Sequence, residues 1–420
     1  MLRERKNQKP AALGFIFITL LIDVLGFGII APVLPKLLEE ITGSAVSEAA
    51  SYGGWLTFAY AFTQFIFAPI VGNLSDKYGR RPVLLLSLFA FGIDYILLAV
   101  AHTLPLLFVG RIIAGITGAS FTTAAAYIAD ISTPENRSKN FGMIGAAFGI
   151  GFIIGPVIGG LLGSIGPRVP FIVAAALCLL NALYGYFILP ESLDKEKRRD
   201  FDWKKANPLG AFYFLKAQPN IGYMVWAFAF MYLGGQAVHN VWSFYGIEKF
   251  GWDEKMIGYS LGVVGLLIGL VQGGLVRVIN PKLGDHKSAF LGLFLMTIGL
   301  GLCAFATESW ILFTFLIPYC LGGIAGPALQ AIISSNIDAS NQGQLQGALT
   351  SLNSATAIIG PIIMTKTFTY FTKHDNSHLY FPGASFLLGA FCLLVSLGFI
   401  YLVMRQNGKK KAVVLKEEEI

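Results

Sequence analysis

The chain of 420 residues is 55% hydrophobic and only 13% charged, with a formal net charge of +7. A soluble chain has about a quarter of its residues charged, so this composition excludes an ordinary soluble protein. Repeated apolar runs of about 20 residues indicate a polytopic helical membrane protein. The four cysteines lie in apolar runs without metal-binding spacing, which predicts buried thiols and no metal site.

The apolar runs predict an all-α integral membrane protein with twelve transmembrane helices. A basic tail at 1–10 precedes a first six-helix bundle at 11–189, whose first apolar run is interpreted as a retained span. The polar segment 190–220 is predicted to link this bundle to a second one at 221–404, and 405–420 forms a charged tail. The predicted spans are 11–35, 52–74, 83–101, 104–129, 140–163, 169–189, 221–245, 257–279, 288–306, 310–333, 344–370 and 384–404.

The distribution of Lys and Arg determines the predicted orientation. With the N-terminus inside, the inner segments contain 24 Lys and Arg residues and the outer segments contain six. This bias predicts that both termini and the linker are cytoplasmic, and we expect the location to be a bacterial inner membrane. The positive net charge therefore reflects topology, and nucleic-acid binding is not expected.

The two predicted bundles repeat one another at an offset of 205 residues. The matches are Asn136 with Asn341, Gly142 with Gly347, Gly155-Pro156 with Gly360-Pro361, and Lys77-Tyr78-Gly79 with Lys282-Leu283-Gly284. One shared offset across all of them indicates six spans duplicated in parallel. Transporters built in this way bind substrate near the membrane midplane between the halves, and rocking of the halves gives alternating access.

Three charged residues inside the predicted spans are candidates for proton coupling. Asp23 lies about 18 Å into the first span, Asp94 about 16 Å from the cytoplasmic end of the third, and Arg111 about 10 Å below the outer surface. An unpaired carboxylate at such depth costs about 2.5–3.5 kcal/mol, which suits a group that binds and releases a proton. Arg111 keeps its charge, so it would shift the pKa of a nearby carboxyl group or polarise a proton path. The alternative for the two acids is a fixed ion pair or a hydrogen bond to a polar side chain. The alternative for Arg111 is a guanidinium group that is satisfied by backbone carbonyls at a helix kink.

Polar side chains inside other spans are candidates for substrate binding. Gln236, His239 and Asn240 share one face of the seventh span by their i, i+3, i+4 spacing. The other candidates are the single amides Gln64, Gln330 and Asn353. The alternative for each amide is a hydrogen bond between helices, and the alternative for His239 is solvation near the outer end of its span.

Glycines recur every four residues along the fifth span, and they are Gly151, Gly155, Gly159 and Gly163. This spacing predicts a face on which a neighbouring helix packs closely, and Pro156 is expected to bend the span. Gly360 and Pro361 occupy the repeated position in the second bundle. Packing is the main interpretation, and a contribution to gating is an additional one.

The turn between the second and third spans is Gly72-Asn73-Leu74-Ser75-Asp76-Lys77-Tyr78-Gly79-Arg80-Arg81-Pro82. A glycine-containing turn with three cations cannot lie in hydrocarbon, which predicts a short loop in water on the side that gathers Lys and Arg. This pattern, between the second and third of twelve spans, resembles the loop signature of the major facilitator superfamily.

Further motifs resemble the tetracycline/proton antiporters and their relatives over nearly the whole chain, most densely over residues 15–165. They are Leu21-Ile22-Asp23-Val24-Leu25-Gly26-Phe27-Gly28, Phe67-Ala68-Pro69, Ile93-Asp94-Tyr95, Gly110-Arg111-Ile112-Ile113-Ala114-Gly115, Ala129-Asp130, Phe250-Gly251-Trp252, Pro327-Ala328-Leu329-Gln330 and Gln346-Gly347.

The resemblance implies the major facilitator fold and the export of a cationic or amphipathic drug, often a metal chelate, in exchange for protons. It also implies a cytoplasmic gate in which Asp76 pairs with Arg80 and Asp130 is a further partner. The gate residues on this basis are Gly72, Asp76, Gly79, Arg80, Arg81 and Asp130. The stretches 265–268 and 294–297 lack the His and the acid that tetracycline exporters carry there, which leaves the substrate open within the drug-efflux branch.

The sequence therefore predicts a proton-coupled antiporter that exports small amphipathic molecules or drugs. Proton-coupled uptake of a sugar, an organic acid or another metabolite is one alternative, and a receptor or scaffold without transport is another. No enzyme activity and no cofactor are expected, because the chain has no GxxxxGK[ST] loop and no catalytic constellation. The expected partners are a small-molecule substrate, protons and membrane lipid, and the chain is expected to be monomeric.

Overall fold

The computed structural model describes residues 2–118, 120–133, 136–201, 203, 210–218, 221–338, 341–373 and 379–418. Side chains are described in these ranges except at 2–11, 120, 137–139, 197, 211–212, 343 and 407–418. Positions 202, 204–209 and 219–220 of the predicted linker, including Lys204 and Lys205, lie outside the described residues. Met1 and the last two positions of the chain lie outside them as well.

Nearly all of the described chain is α-helical, and no strand occurs within those ranges. The first helices are α1 (Leu2–Thr42), α2 (Val46–Tyr78), α3 (Arg80–Val100), α4 (Leu104–Thr117), α5 (Ser120–Ile131), α6 (Arg137–Gly163), α7 (Val169–Ile188) and the short α8 (Gly210–Lys216). The others are α9 (Gly222–Phe250), α10 (Glu254–Leu270), α11 (Val276–Leu283), α12 (Asp285–Phe305), α13 (Ser309–Leu321), α14 (Ala325–Ser335), α15 (Gln342–Thr372) and α16 (Ala384–Glu418). The predicted all-α class is confirmed.

Eleven helical segments in the described part of the chain are long and apolar enough to cross a membrane. They correspond to all of the predicted spans except the seventh. The seventh is α9, a helix of 29 residues that contains Gln236, His239 and Asn240. The length and apolar composition of these segments identify the chain as an integral membrane protein, in which helices satisfy their own backbone hydrogen bonds within the lipid.

Three spans that the sequence presents as continuous are interrupted. The fourth predicted span divides into α4 and α5 around Gly118, the eighth contains a π-helical turn at Val271–Leu275, and the tenth contains a 3₁₀ turn at Gly322–Ile324. Glycine lies at each interruption, where it permits a change of helical geometry at low steric cost. Backbone groups freed at such a point inside a membrane need another donor or acceptor.

The two terminal helices extend beyond the predicted spans. α1 begins at Leu2 and α16 ends at Glu418, whereas the sequence placed tails at 1–10 and 405–420. The flanking segments are rich in Arg, Lys, Glu and Ala, which are good helix formers, so the helices continue past the apolar runs.

The chain divides into two compact units. The first comprises Met1–Pro208 and Gly246–Gly265, and the second comprises Leu209–Tyr245 and Leu266–Ile420. The segment 246–265, which the sequence assigns to the second bundle, is grouped with the first unit, and the bundle boundaries stay a prediction. Close packing is the reason for this grouping, since a Cβ on Gly258 of α10 would lie 3.1 Å from the Cα of Gly160 in α6.

Within the first unit, the glycine stripe of α6 packs against α1. A Cβ on Gly155 would lie 3.0 Å from the Cα of Gly28, and one on Gly159 would lie 2.7 Å from the Cα of Ile29. The first and last glycines of the stripe meet valine side chains of α1. Small residues thus allow these two helices to approach closely. Pro156 lies inside α6, which forms one helix, and the bend expected there stays a prediction.

Within the second unit, α9 packs closely on α15 and α16. A Cβ on Gly360 of α15 would lie 2.7 Å from the Cβ of Gln236, and one on Gly234 would lie 2.7 Å from the carbonyl oxygen of Gly389 in α16. Close packing through small residues is therefore common to both units.

Two local backbone conformations occur in both units, at positions that are 205 residues apart in the sequence. Gly79 separates α2 from α3 with a φ of 106°, and Gly284 separates α11 from α12 with a φ of 76°. Glycine is required at both turns because a Cβ is strained at positive φ. Asn136 and Asn341 precede α6 and α15 with nearly equal backbone angles, φ −107° and ψ −2° against φ −102° and ψ 1°.

Candidate functional site

An ion pair between Asp94 and Arg111 lies inside the membrane-spanning part of the first unit. The Arg111 Nη2 group donates to Asp94 Oδ2, joining α3 to α4. The Asp94 side chain is 0% exposed and the Arg111 side chain 12% exposed. Gly110 makes room for this approach, since a Cβ there would lie 2.8 Å from Asp94 Oδ1. The two side chains are therefore paired with each other in this structure.

The ion pair does not satisfy all of its own polar atoms. Asp94 Oδ1 and Arg111 Nε are buried and have no hydrogen-bond partner in the part of the chain that the structure describes. A buried pair that leaves donors and acceptors unused gains less than it loses in hydration, so it is held less firmly than a fully bonded one. Proton coupling at this pair stays a prediction.

Asp23 belongs to the same polar cluster. Its carboxyl group in α1 and that of Asp94 in α3 both act electrostatically on Tyr60, Tyr95 and Cys178. The Tyr95 hydroxyl contacts Gly26, which is one helical turn beyond Asp23. The structure thus brings together the three residues predicted for proton coupling, around two buried phenols.

Tyr60 was missed by the sequence reasoning and lies at the centre of this cluster. The Cζ atom of Arg111 lies 5.9 Å from the centroid of the Tyr60 ring. The Tyr60 hydroxyl accepts a hydrogen bond of 3.0 Å from Gln64 Nε2, and the same amide donates to the Gly118 carbonyl at 3.2 Å. The available signal was spacing, because Tyr60 and Gln64 are four residues apart on one face of α2.

Three of the five predicted substrate residues of the second unit take part in two separate hydrogen-bonded pairs of side chains. Asn240 Nδ2 donates to Gln236 Oε1 at 2.9 Å on α9, and Gln330 Nε2 donates to Gln346 Oε1 at 2.8 Å. The neighbouring histidine, His239, is exposed, and its Nδ1 lies 2.9 Å from the carbonyl oxygen of Gly235.

Asn353 lies in α15 and is partly buried. Its backbone carbonyl accepts a hydrogen bond from Thr356. Substrate binding by these amides and by Gln64 stays a prediction.

Arg80 forms a compact charge cluster at the turn between α2 and α3. Its Nη1 lies 2.5 Å from Asp76 Oδ1, and its Nε lies 3.3 Å from Asp130 Oδ2 in α5. The same guanidinium donates to Ser75 Oγ, whose hydroxyl in turn donates to the Gly72 carbonyl. The turn therefore connects three helices through one cation.

Arg81, the next residue, donates to the carbonyl oxygen of Tyr186 at 2.5 Å and lies over its ring. All six predicted gate residues thus lie at or beside this turn. Their role as a gate stays a prediction.

Glu191 completes this cluster and was missed by the sequence reasoning. Its carboxylate accepts the backbone N–H groups of Arg80 at 2.8 Å and of Arg81 at 3.3 Å. These are the first residues of α3, where unpaired N–H groups and the helix dipole favour an anion. A Cβ on Gly79 would collide with this carboxylate. The sequence signal was an acid two residues after the end of the sixth predicted span.

Replacing Glu191 by Gln is expected to destabilise the first unit by about 1 kcal/mol, because a neutral amide offers one acceptor oxygen to two N–H groups at a helix start. Thermal unfolding of the purified protein in detergent would measure the change. The matched control is Glu196→Gln, which alters an exposed acid of the 3₁₀ turn at Lys195–Lys197. Equal unfolding temperatures for the two variants would contradict the assignment.

The buried charge cluster and the helical architecture together define the class: a polytopic membrane protein with an acid–base pair inside its spans. A family model described as Major Facilitator Superfamily matches residues 16–361 and 277–419. The chain belongs to the Major Facilitator Superfamily, as the turn between α2 and α3 predicted.

Known relatives cover almost the whole chain. The tetracycline resistance protein, class C, of Escherichia coli is 41% identical over 377 residues, which is 90% of this chain and 94% of that protein. The tetracycline resistance protein, class B, of Escherichia coli is 36% identical over 394 residues, covering 93% and 96% of the two chains. The predicted resemblance to tetracycline exporters is thereby confirmed.

Among solved structures, a bacterial homolog of the human lysosomal transporter Spinster has a TM-score of 0.76 at 15% identity. The match covers 95% of this chain and 97% of that one. At this identity the similarity supports the fold alone.

Proposed function

We propose that this chain is a proton-coupled antiporter that exports small amphipathic molecules or drugs by alternating access. Similarity to tetracycline resistance proteins over 90% or more of the chain supports the substrate class. The observation that carries proton coupling is the fully buried Asp94 carboxylate, paired with Arg111 and grouped with Asp23.

In this mechanism, the proton and the guanidinium compete for one carboxylate. When Asp94 is ionised, Arg111 neutralises it at a site with little access to water. A proton on Asp94 removes the negative charge, and the attraction that holds the two helices at this point falls steeply because screening is weak in a buried site. Arg111 keeps its charge throughout and favours release of the proton in the next step. Asp23 supplies a second carboxyl group, which acts electrostatically on Tyr60 as Asp94 and Arg111 do.

The remaining roles extend the same proposal. The cluster around Arg80 acts as a cytoplasmic gate, and the polar residues of α2, α9, α14 and α15 contact the substrate. The chain works as a monomer in a bacterial inner membrane with both termini in the cytoplasm. It has no enzymatic activity and uses the proton gradient in place of a cofactor.

Proteoliposomes with an imposed pH gradient test the proposal. We expect the wild-type protein to move protons in response to an amphipathic drug, and the substrate panel should include a tetracycline, a cationic dye and a sugar. Asp23→Asn is expected to lower drug-dependent proton flux by about tenfold or more, because it removes one of the two carboxyl groups grouped inside the spans of the first unit.

The matched control is Asp200→Asn, since the Asp200 side chain is 100% exposed. Proton flux that responds to the sugar and not to the drugs would favour metabolite uptake instead. Absence of any substrate-dependent proton flux in the wild type would contradict the proposal.

A further inference from the structure

Asn181 forms a hydrogen bond between two helices beside the acidic cluster. Its Nδ2 group in α7 donates to the hydroxyl oxygen of Thr19 in α1 at 3.0 Å. Both side chains are buried, with Thr19 at 0% exposure and Asn181 at 5%. A polar side chain inside a membrane protein is costly without a partner, so this bond holds α1 and α7 at a defined position relative to each other.

The bond is part of an antiparallel contact between α1 and α7. One turn before Thr19 in α1, the Phe15 ring lies against Gly185, which is one turn after Asn181 in α7. Moving forward by one turn along α1 therefore corresponds to moving back by one turn along α7. Residues four apart lie on one face of a helix, so the same register continues along the contact.

This register brings Asp23 to α7. Asp23 is one turn after Thr19, and Cys178 is one turn before Asn181, so the two residues form the next pair along the contact. The Asp23 carboxyl group acts electrostatically on the Cys178 thiol, as expected for such neighbours. The hydrogen bond is therefore one helical turn from the acid.

Asp23 lies between two contacts on one face of α1. Thr19 is four residues before it and Gly26 is three residues after it, which places all three on the same face. Gly26 contacts the Tyr95 hydroxyl group of α3. The turn that carries Asp23 is thus held by α7 on one side and by α3 on the other.

The helix α7 also contacts the helix that carries the second acid. A Cβ on Gly92 of α3 would lie 2.7 Å from the Cγ of Leu179, and Gly92 is two residues before Asp94. Leu179 and Asn181 are two residues apart on α7. One short stretch of α7 therefore contacts α3 beside Asp94 and α1 beside Asp23, so it sets the spacing of the two helices.

We propose that Asn181 and Thr19 are positioning residues for Asp23. The inference rests on the proposed antiport function and adds the contact that sets the distance between the two carboxyl groups. The interaction of charges depends on their distance and is strong where water is excluded. Loss of the bond therefore changes the field at both acids and lowers coupled proton flux.

The positioning pair itself does not titrate, since neither an amide nor a threonine hydroxyl changes charge at working pH. The ionisable groups that share the cluster with Asp23 come from four other helices. They are Tyr60 of α2, Asp94 and Tyr95 of α3, Arg111 of α4 and Cys178 of α7.

The functional test removes the acceptor of the bond. Thr19→Val is expected to lower drug-dependent proton flux in proteoliposomes by about threefold to tenfold, because one buried hydrogen bond is lost while the size of the side chain is kept. Thr19→Ser keeps the hydroxyl group and should stay within about twofold of the wild type.

Ser396→Ala is the matched control for a loss of stability. It removes an equally buried hydroxyl, which donates to the carbonyl oxygen of Ala227 at 2.7 Å between two helices of the second unit. We expect Ser396→Ala to lower the unfolding temperature and to keep the wild-type proton flux. A reduction of flux that also occurs in Ser396→Ala would mean that the effect of Thr19→Val is structural only.

Cross-linking measures the position of α1 without transport. In Asp23→Cys, the introduced thiol should form a disulfide with native Cys178 on oxidation, which requires the two Cα atoms to lie within about 7 Å. Adding Thr19→Val should lower the cross-linked fraction by about threefold or more, whereas adding Thr19→Ser should not. Val24→Cys is the matched control, because Val24 meets Gly151 of α6 and should not cross-link to Cys178.

The outcomes separate this inference from the antiport function. A wild type without substrate-dependent proton flux would contradict antiport, while the cross-linking would still report the position of residue 23. A coupled wild type together with a Thr19→Val variant that keeps full flux would overturn the role of the bond. The same conclusion would follow from cross-linking that is absent in Asp23→Cys or unaffected by Thr19→Val.

Discussion

Asp94→Asn is expected to abolish proton-coupled transport and to destabilise the folded protein by about 3–5 kcal/mol, because it leaves a buried cation without its partner. Arg111 is only 12% exposed, so it cannot recover full hydration without moving α4. The amide can accept one hydrogen bond from the guanidinium but carries no charge and takes up no proton. Drug-dependent proton flux in proteoliposomes and unfolding in detergent would measure the two effects.

The double variant Asp94→Asn/Arg111→Gln separates stability from function. Removing both charges takes away the penalty of an unpaired cation, and we expect the unfolding free energy to return to within about 1 kcal/mol of the wild type. Proton coupling through this site should remain absent, because neither side chain can bind and release a proton at working pH. Full coupling in either variant would mean that Asp94 is a structural ion-pair residue only.

The pairing of Asp94 with Arg111 could have been predicted from the sequence with one further step. Asp94 lies six residues before the end of α3, and Arg111 lies seven residues after the start of α4. At the rise of an α-helix these positions are about 9 Å and about 10 Å from the short connection that joins the two helices. Because two helices joined by a short connection run antiparallel, both charges lie at the same depth in the membrane. Only the direction in which each side chain points then has to be determined by helix packing.

Neither the contacts of Glu191 nor the contact of Gly160 in α6 with α10 could be predicted in this way. Glu191 reaches the start of α3 from more than 100 positions along the chain, and only the tertiary fold brings the two together. The glycine stripe predicted a close helical neighbour, and the structure shows that this neighbour is α1. Gly160 lies one residue from the stripe and packs on α10 instead, because consecutive residues of a helix point in directions about 100° apart.

Gly159→Ala is expected to separate α1 from α6 and to lower stability by about 2–3 kcal/mol, because the added methyl group meets backbone that has no rotamer to change. A Cβ at this position would lie 2.6 Å from the carbonyl oxygen of Ile29 and 2.7 Å from its Cα. Both distances are shorter than van der Waals contact, so one helix has to move. We expect a loss of folded protein, measured by monodisperse yield and by thermal unfolding.

Gly149→Ala is the matched control for this prediction. It makes the same substitution on the same helix, and a Cβ there would have no atom within 4 Å among the described neighbours. Alanine is the better helix former by about 1 kcal/mol, so Gly149→Ala should be neutral or slightly stabilising. The expected change in stability therefore differs between the two variants because Gly159 contacts α1, and not because of helix propensity. If both lowered the unfolding temperature equally, the close approach at Gly159 would not be what holds these helices together.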